Sequence, residues 1–156
     1  MKIKILTVGK TKDAWCAAGE AEYEKRLSAF CDLEKISVSE EKISPAISEA
    51  EVKKREGTKI LEKIPTDFLV IALSPDGKPL SSANFAALLQ DVRDFKGGKI
   101  CFIIGGALGL DQKVLASADK IISFSELTFP HDLFRIILLE QIYRGFTILQ
   151  GKNYHR

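Results

Sequence analysis

The stretch that decides the fold is residues 100–109, ICFIIGGALG, in which five apolar residues lead directly into a glycine-rich loop. A continuous apolar run of this length is typical of a β-strand buried on both faces, as in a parallel sheet with helices on each side. A second run of this kind, FLVIAL, occupies residues 68–73. Glycines let the backbone approach a ligand, and open α/β sheets bind ligands beyond the carboxyl ends of their strands. The loop therefore predicts either a nucleotide-like ligand held by main-chain groups or a tight strand-to-helix turn.

On both sides of this loop the apolar pattern alternates between the periods of strands and helices. Strands are predicted at 3–8, 33–38, 68–73, 100–104 and 121–124, and helices at 14–30, 49–63, 81–95, 111–118 and 132–149. Asp13 is a candidate N-cap of the first helix, Ser81 or Ser82 of the third, and residues 74–78, SPDGK, are predicted to form a turn. Strict alternation of this kind indicates an α/β fold with a mostly parallel sheet flanked by helices.

Length and composition predict one globular domain spanning residues 1–156. The chain is 46% hydrophobic and 28% charged, which argues against a disordered protein and a disulfide mini-scaffold. Its 23 Lys and Arg against 21 Asp and Glu give a net charge of +2. Any contact with RNA must therefore come from a local basic patch, because the global field is weak.

Several classes of protein are disfavoured by what the sequence lacks. Three cysteines without a CxxC pair and only two histidines argue against a zinc site, so no metal is expected. No apolar run reaches 18 residues, so we expect no membrane contact and a cytoplasmic location. The glycine loop does not fit GxGxxG, and Gly9-Lys10-Thr11 lacks the first glycine of a Walker A motif, since Lys4 stands there. An ordinary dinucleotide-binding enzyme or nucleoside triphosphatase is therefore disfavoured.

The last predicted helix is apolar around most of its circumference. One stripe on a helical wheel consists of Phe134, Leu138, Leu139, Ile142, Phe146 and Leu149. Further apolar residues lie elsewhere on the wheel, namely Leu133, Ile136, Ile137, Tyr143 and Ile148. Such a helix needs a second covering surface, either a second copy of the chain in a homodimer or the rest of its own chain.

Cations and aromatic rings mark both ends of this helix. Arg135 falls on the apolar stripe, with His131 four residues before it, so Arg135 must either form a structural ion pair or face a ligand. The chain ends in residues 151–156, GKNYHR, which combine cations with a ring, as in side chains that bind phosphates and stack on bases.

Five segments in this order resemble one family: ILTVGK at 5–10, IGGALGL at 104–110, SFSELTFPH at 123–131, LLEQIYRG at 138–145 and YHR at 154–156. The chain resembles, over essentially its full length, the bacterial ribosomal RNA large subunit methyltransferase H family, which methylates N3 of a pseudouridine in 23S rRNA and belongs to the SPOUT superfamily. The resemblance implies an α/β fold with a C-terminal trefoil knot, a homodimer, S-adenosyl-L-methionine as cofactor and the assembled ribosome as substrate. One departure is Gly145, where alanine is expected.

The resemblance also implies which residues form the site. The cofactor-binding residues would be Leu73, Gly105, Phe124, Ser125, Glu126, Leu127, Thr128 and Phe129. The candidate catalytic residues are Arg144, Arg135, Tyr154, His155 and His131. The two arginines would stabilise an anionic base or bind phosphate, and Tyr154 and His155, from either subunit, would order the target nucleotide. His131 either belongs to the site or caps the last helix. No carboxylate stands out as general base, which suits catalysis dominated by alignment.

Three alternatives remain from the residues. The first is a SPOUT methyltransferase that acts on another RNA such as tRNA. The second is a non-enzymatic ribosome-binding factor that keeps the pocket only as scaffold. The third is a flavodoxin-like or dinucleotide-binding module, which would need a phosphate-cradling motif.

Overall fold

The chain forms five strands and five helices in strict alternation. In a computed structural model that describes residues 1–152 and 154, these are β1 (Lys2–Val8), α1 (Ala14–Leu27), β2 (Asp32–Val38), α2 (Glu49–Leu61), β3 (Leu69–Pro79), α3 (Ser82–Phe95), β4 (Lys99–Ile104), α4 (Gln112–Ser117), β5 (Lys120–Ser123) and α5 (His131–Leu149). The strands form one sheet in the order β2-β1-β4-β3-β5, and every neighbouring pair is parallel. The predicted α/β class and order of elements are confirmed.

Helices cover both faces of the sheet, and each face has its own apolar core. One core joins alternate residues of the central strands, such as Ile71 and Phe102, to α1, α3 and α5. The other joins the intervening residues, such as Ala72 and Ile103, to α2 and α4. This alternation confirms that the two continuous apolar runs are strands buried on both faces.

The ends of the helices differ slightly from the prediction. α1 ends at Leu27 rather than at residue 30, because the amides of Phe30 and Cys31 both donate to the Leu27 carbonyl and close a turn. Asp13 occupies the N-cap of α1 without a capping bond from its side chain. The hydroxyl of Ser81 caps α3 by accepting from the amide of Asn84 at 3.2 Å.

Residues 74–78, predicted to form a turn, lie within the bounds of β3 but leave its ladder between two pairings with β5. Leu73 pairs with Ile122 of β5, the strand then leaves this register, and Lys78 pairs with Ile122 again. Because Leu73 and Lys78 align with the same residue, the four residues between them bulge out of the sheet, as their turn-forming composition favours. A Cβ at Gly77 would lie 2.5 Å from the carbonyl carbon of Ile122, so the returning strand needs glycine there.

α5 packs against α3 and α1 through close contacts with glycine. A Cβ at Gly145 would lie 2.7 Å from Cδ1 of the fully buried Leu89, so the unexpected glycine allows α3 to come near. A Cβ at Gly19 of α1 would lie 2.9 Å from Cδ1 of Ile136. The predicted core stripe is confirmed at Leu138, Leu139, Ile142 and Phe146, which are buried, while Phe134 and Leu149 are half-buried against the same core.

The apolar residues predicted to lie off this stripe are all half-buried within one chain: Leu133, Ile136, Ile137, Tyr143 and Ile148. None of the helices in the described part of the chain is both long and apolar enough to cross a membrane. The trefoil knot implied by the resemblance stays a prediction.

Candidate functional site

A cleft of about 410 Å³ opens at the carboxyl edge of the sheet, where three segments of the chain meet. These segments are the excursion of β3 after Leu73, the loop after β4, and the loop after β5. The volume falls in the usual range of small-molecule sites, and the position is where open parallel sheets bind ligands.

The glycine loop forms the floor of the cleft as a tight turn. The amide of Gly109 donates to the carbonyl of Gly106 at 3.0 Å, and Gly109 has a φ of +83°. A Cβ at Gly105 would lie 2.7 Å from the carbonyl carbon of Gly109, so the two ends of the turn stack backbone on backbone. The turn therefore requires glycine at residue 105 and presents main-chain groups to the cleft.

The loop after β5 forms the opposite wall and is held by its own bonds. The hydroxyl of Ser123 donates to the carbonyl of Ser125 at 2.9 Å, and the Ser125 hydroxyl accepts from the Leu127 amide at 2.9 Å. The ring of Phe129 stacks on that of Phe134 with centroids 6.1 Å apart. α5 thereby fixes the loop against the mouth of the cleft.

The lining suits a nucleoside better than a phosphate. Apolar side chains such as Leu108 and Leu115 alternate with main-chain groups, and the charged or titratable side chains are Lys53, Asp76 and His131. The N-terminus of α4 beside the glycine turn is occupied by the carboxylate of Asp111, which accepts from the Lys113 amide at 2.8 Å. A helix terminus capped in this way offers no free cradle for a phosphate.

The start of α5 carries a polar network behind the cleft. Arg135 is 6% exposed and donates to the carbonyls of Val8 at 2.8 Å and Gly9 at 3.1 Å, and to the hydroxyl of Thr11 at 2.8 Å. Asp132, 3.7 Å from Arg135, lies 3.2 Å from Nε2 of His131. Arg135 thus binds the loop after β1. These contacts agree with a structural role, which is one of the two alternatives predicted for Arg135.

The other predicted catalytic residues gather towards the far end of α5. Arg144 donates through Nε to Glu140 at 2.9 Å, and its guanidinium lies 5.1 Å from the ring centroid of Tyr154. The hydroxyl of Tyr154 lies 3.4 Å from that of Tyr23 and from a carboxylate oxygen of Glu140. Burial is the main cause that raises the pKa of Tyr154 to about 12, so its hydroxyl keeps its proton at neutral pH. His155 lies outside the described residues.

The two groups are well separated within one chain. Arg144 lies thirteen residues after His131, which is at the cleft, and this separation corresponds to about 20 Å along a helix. A single chain therefore does not bring Arg144 and Tyr154 to its own cleft.

Residues 1–155 match the family model described as "Predicted SPOUT methyltransferase". The chain belongs to the SPOUT methyltransferase family. Its curated relatives include a ribosomal RNA large subunit methyltransferase H from Listeria welshimeri serovar 6b, 47% identical with all of both chains covered. A relative of the same name from Bacillus thuringiensis is 45% identical, also with full coverage of both chains. Family membership implies a methyl donor.

Solved structures share this fold at low sequence identity. A probable methylase family protein from Haemophilus influenzae has a TM-score of 0.56 at 13% identity, with 99% of this chain and 70% of that chain covered. A tRNA (m1G37) methyltransferase from Aquifex aeolicus has a TM-score of 0.54 at 12% identity, with 92% of this chain and 70% of that chain covered. At this identity the likeness concerns the fold alone.

Most of the predicted cofactor-binding residues of this SPOUT methyltransferase line the cleft. They are Leu73, Gly105, Phe124, Ser125, Leu127, Thr128 and Phe129, whereas Glu126 is not among the lining residues. Of the candidate catalytic residues, His131 lines it as well. Lys53 of α2 also lines the cleft, although no motif in the sequence points to it, and so do Ser74 to Asp76 of the predicted turn. Within residues 1–152 and 154, no group of three His, Cys, Asp or Glu side chains is placed to hold a metal ion.

Proposed function

We propose that this chain is an S-adenosyl-L-methionine-dependent methyltransferase that methylates N3 of a pseudouridine in the 23S rRNA of the assembled ribosome. Full-length identity of 47% to a ribosomal RNA large subunit methyltransferase H is the observation that carries the proposal. The resemblance of the five motifs supplies the modified atom and the ribosomal substrate. Because its substrate is the ribosome, the enzyme would act in the cytoplasm. It would consist of one SPOUT domain over residues 1–156.

The cleft fits this cofactor by its shape and lining. Gly105 and Gly109 keep side chains out of the floor, and the capped α4 offers no phosphate cradle. Leu73 and the loop at 124–129 supply apolar walls and main-chain hydrogen-bonding groups for an adenine ring and a ribose. When bound, S-adenosylmethionine supplies a methyl group that its sulfonium already activates.

The chain's own residues then have to orient the target base and help N3 lose its proton. Arg144 would stabilise the anion that deprotonation leaves, and Tyr154, protonated at neutral pH, would donate a hydrogen bond that orders the nucleotide. His155 shares this ordering role, and His131 is placed at the cleft, 3.2 Å from Asp132. Arg135 has the role of a positioning residue, because its guanidinium is bonded to the loop after β1.

A homodimer would bring the cofactor cleft of one subunit together with the candidate catalytic residues at the far end of the partner's α5. About 20 Å separates the cleft from Arg144 along one helix, so each cleft would receive Arg144 and the C-terminal tail from the partner. The half-buried apolar residues of α5, such as Leu133, Ile137 and Ile148, provide the surface that a second copy would cover. Dimerisation also places two basic tails on one particle.

The test is transfer of a labelled methyl group to ribosomes that lack the modification, with separated subunits and bare rRNA in parallel. Label in 23S rRNA of assembled ribosomes, mapped to a pseudouridine, is expected. Label on tRNA instead would favour another RNA substrate. A folded protein that neither labels RNA nor melts at a higher temperature with S-adenosylmethionine would be a non-enzymatic factor.

Tyr154→Phe tests the proposed division of labour between cleft and tail. We expect a fall in methyl transfer of at least about tenfold, because an ordering hydrogen bond to the nucleotide is lost. The affinity for S-adenosylmethionine should stay within about twofold, since Tyr154 is not among the residues that line the cleft and would contact the nucleotide and not the cofactor. Equal losses of transfer and of cofactor affinity in a folded variant would contradict this role.

A further inference from the structure

We propose that the C-terminal ends of α1 and α5 form an rRNA-binding surface in which Arg26 of α1 binds a backbone phosphate. The inference rests on the proposed function and adds a contact that lies outside the cofactor cleft. The surface, which we call the basic–aromatic patch, consists of Arg26, Arg144 and Lys152 over the rings of Tyr23, Phe30, Tyr143 and Tyr154.

The floor of the patch is a cluster of four rings centred on Tyr143. The centroid of its ring lies 4.9 Å from that of Tyr154, 5.8 Å from that of Phe30 and 6.3 Å from that of Tyr23. The rings come from α1, from the turn that follows it, from α5 and from the tail. Their edge-to-face and tilted arrangement is the one that aromatic quadrupoles favour, so the floor is a defined platform.

Three cations lie over this floor. The guanidinium carbon of Arg26 is 5.4 Å from the ring centroid of Tyr23 and 5.7 Å from that of Tyr143. The Lys152 ammonium is 5.3 Å from the centroid of Phe30, and Arg144 covers Tyr154. Cation–π contacts hold these charges on the platform and thereby reduce the entropy that a phosphate contact costs.

The carboxylate beside Arg26 is a weak competitor for a phosphate. Glu22 accepts from Nε of Arg26 at 2.8 Å, with 40% of the arginine and 52% of the glutamate side chain exposed. An exposed pair of this kind contributes little free energy, so a bidentate phosphate can replace the carboxylate. Glu140 holds Arg144 more firmly, through two nitrogens of the guanidinium and at 25% and 17% exposure, so Arg26 is the arginine more available to a phosphate.

RNA fits this combination of groups better than another protein surface does. Unstacked bases pack on aromatic faces, and arginines bind the phosphates that link successive nucleotides. The chain carries a net charge of only +2, so the attraction for rRNA has to be local, and the patch concentrates three cations. In the proposed homodimer the patch would lie beside the partner's cleft, since Arg144 and Tyr154 belong to it, and Arg26 at its α1 side would reach a nucleotide that flanks the modified one.

Arg26→Gln tests the inference, and Arg55→Gln is its matched control. Arg55 lies on α2 and pairs through Nε with Glu51 at 2.9 Å, four residues earlier, with 48% of its side chain exposed. Arg26→Gln should raise both the Kd for unmodified ribosomes and the KM roughly three- to tenfold. It should also reduce the slope of log Kd against log salt by roughly 0.7–0.9, the share of one phosphate. Arg55→Gln should change neither, and both variants should bind S-adenosylmethionine like the wild type.

Two results would overturn the inference while the proposed function stands. Identical ribosome binding and salt slope in Arg26→Gln and Arg55→Gln would remove Arg26 from the interface. A raised Kd with an unchanged salt slope would mean that the patch contacts a ribosomal protein instead of RNA. Failure of the proposed function has a separate signature, which is a wild-type protein that binds ribosomes but transfers no methyl group to 23S rRNA.

Discussion

Replacing Arg135 by methionine should remove the hydrogen bonds through which this side chain holds α5 to the loop after β1. The guanidinium donates at 2.8 Å to Val8, at 3.1 Å to Gly9 and at 2.8 Å to Thr11, from a site that is 6% exposed. Methionine fills much of the same volume but donates no hydrogen bond. Asp132, 7% exposed and 3.7 Å away, would lose its cation as well.

The expected loss is about 3–5 kcal/mol in the free energy of unfolding. That is the usual result of removing one partner from a buried ion pair, because the other charge stays buried. Each carbonyl left without a donor costs about 1–3 kcal/mol, which the apolar packing of methionine partly offsets. For a urea m-value of about 2 kcal/mol per M, the midpoint of unfolding should fall by roughly 2 M.

Urea unfolding followed by circular dichroism is the assay, with Arg55→Met as the control. Arg55 pairs with Glu51 on an exposed helix face, so its loss should cost only about 0.5 kcal/mol. The reasoning is refuted if Arg135→Met costs less than about 1 kcal/mol while abolishing methyl transfer. Arg135 would then be a substrate-binding residue and not a positioning one.

Two further changes test the cleft and the buried carboxyl beside it. Gly105→Ala puts a methyl carbon 2.7 Å from the Gly109 carbonyl carbon, so the turn must shift. Calorimetry should therefore show that the affinity for S-adenosylmethionine is reduced at least about tenfold. An unchanged affinity would contradict the close backbone contact between Gly105 and Gly109. Glu56 is 4% exposed and accepts from the Glu41 amide at 3.0 Å, and desolvation raises its pKa above the usual 4.5. Since its ionised form is the penalised one, the wild type should lose stability relative to Glu56→Gln as pH rises above 4.5, and parallel urea midpoints from pH 4 to 8 would refute this.

Periodicity was enough to predict the sheet because each buried strand carries its own signal. The runs at 68–73 and 100–104 are apolar on both faces, and the sheet buries both faces with helices. At Ser74 to Lys78, proline, aspartate and glycine predict a turn locally, and the chain there leaves the ladder. The local composition did not predict that the chain then rejoins β5, which is about fifty residues away in sequence. A non-local contact of this kind has no signature in the local composition.

The site was predictable to the extent that it consists of strand ends. Gly105 and Leu73 follow buried strands, so topology alone brings them to one edge. The position of Arg135 was ambiguous, since a cation on an apolar stripe is equally compatible with a ligand and with buried carbonyls. Lys53 reaches the cleft from α2 through packing that no motif records.

The double pairing of Ile122 has a consequence for how the cleft can change during evolution. Leu73 and Lys78 both align with this one residue of β5, so the chain between them is anchored at two points on the same rung of the sheet. Residues added or removed between the anchors alter the cleft wall, but they do not shift the pairing of β3 with its neighbours. The wall of the cleft can therefore change in length and shape while the central sheet keeps its registry.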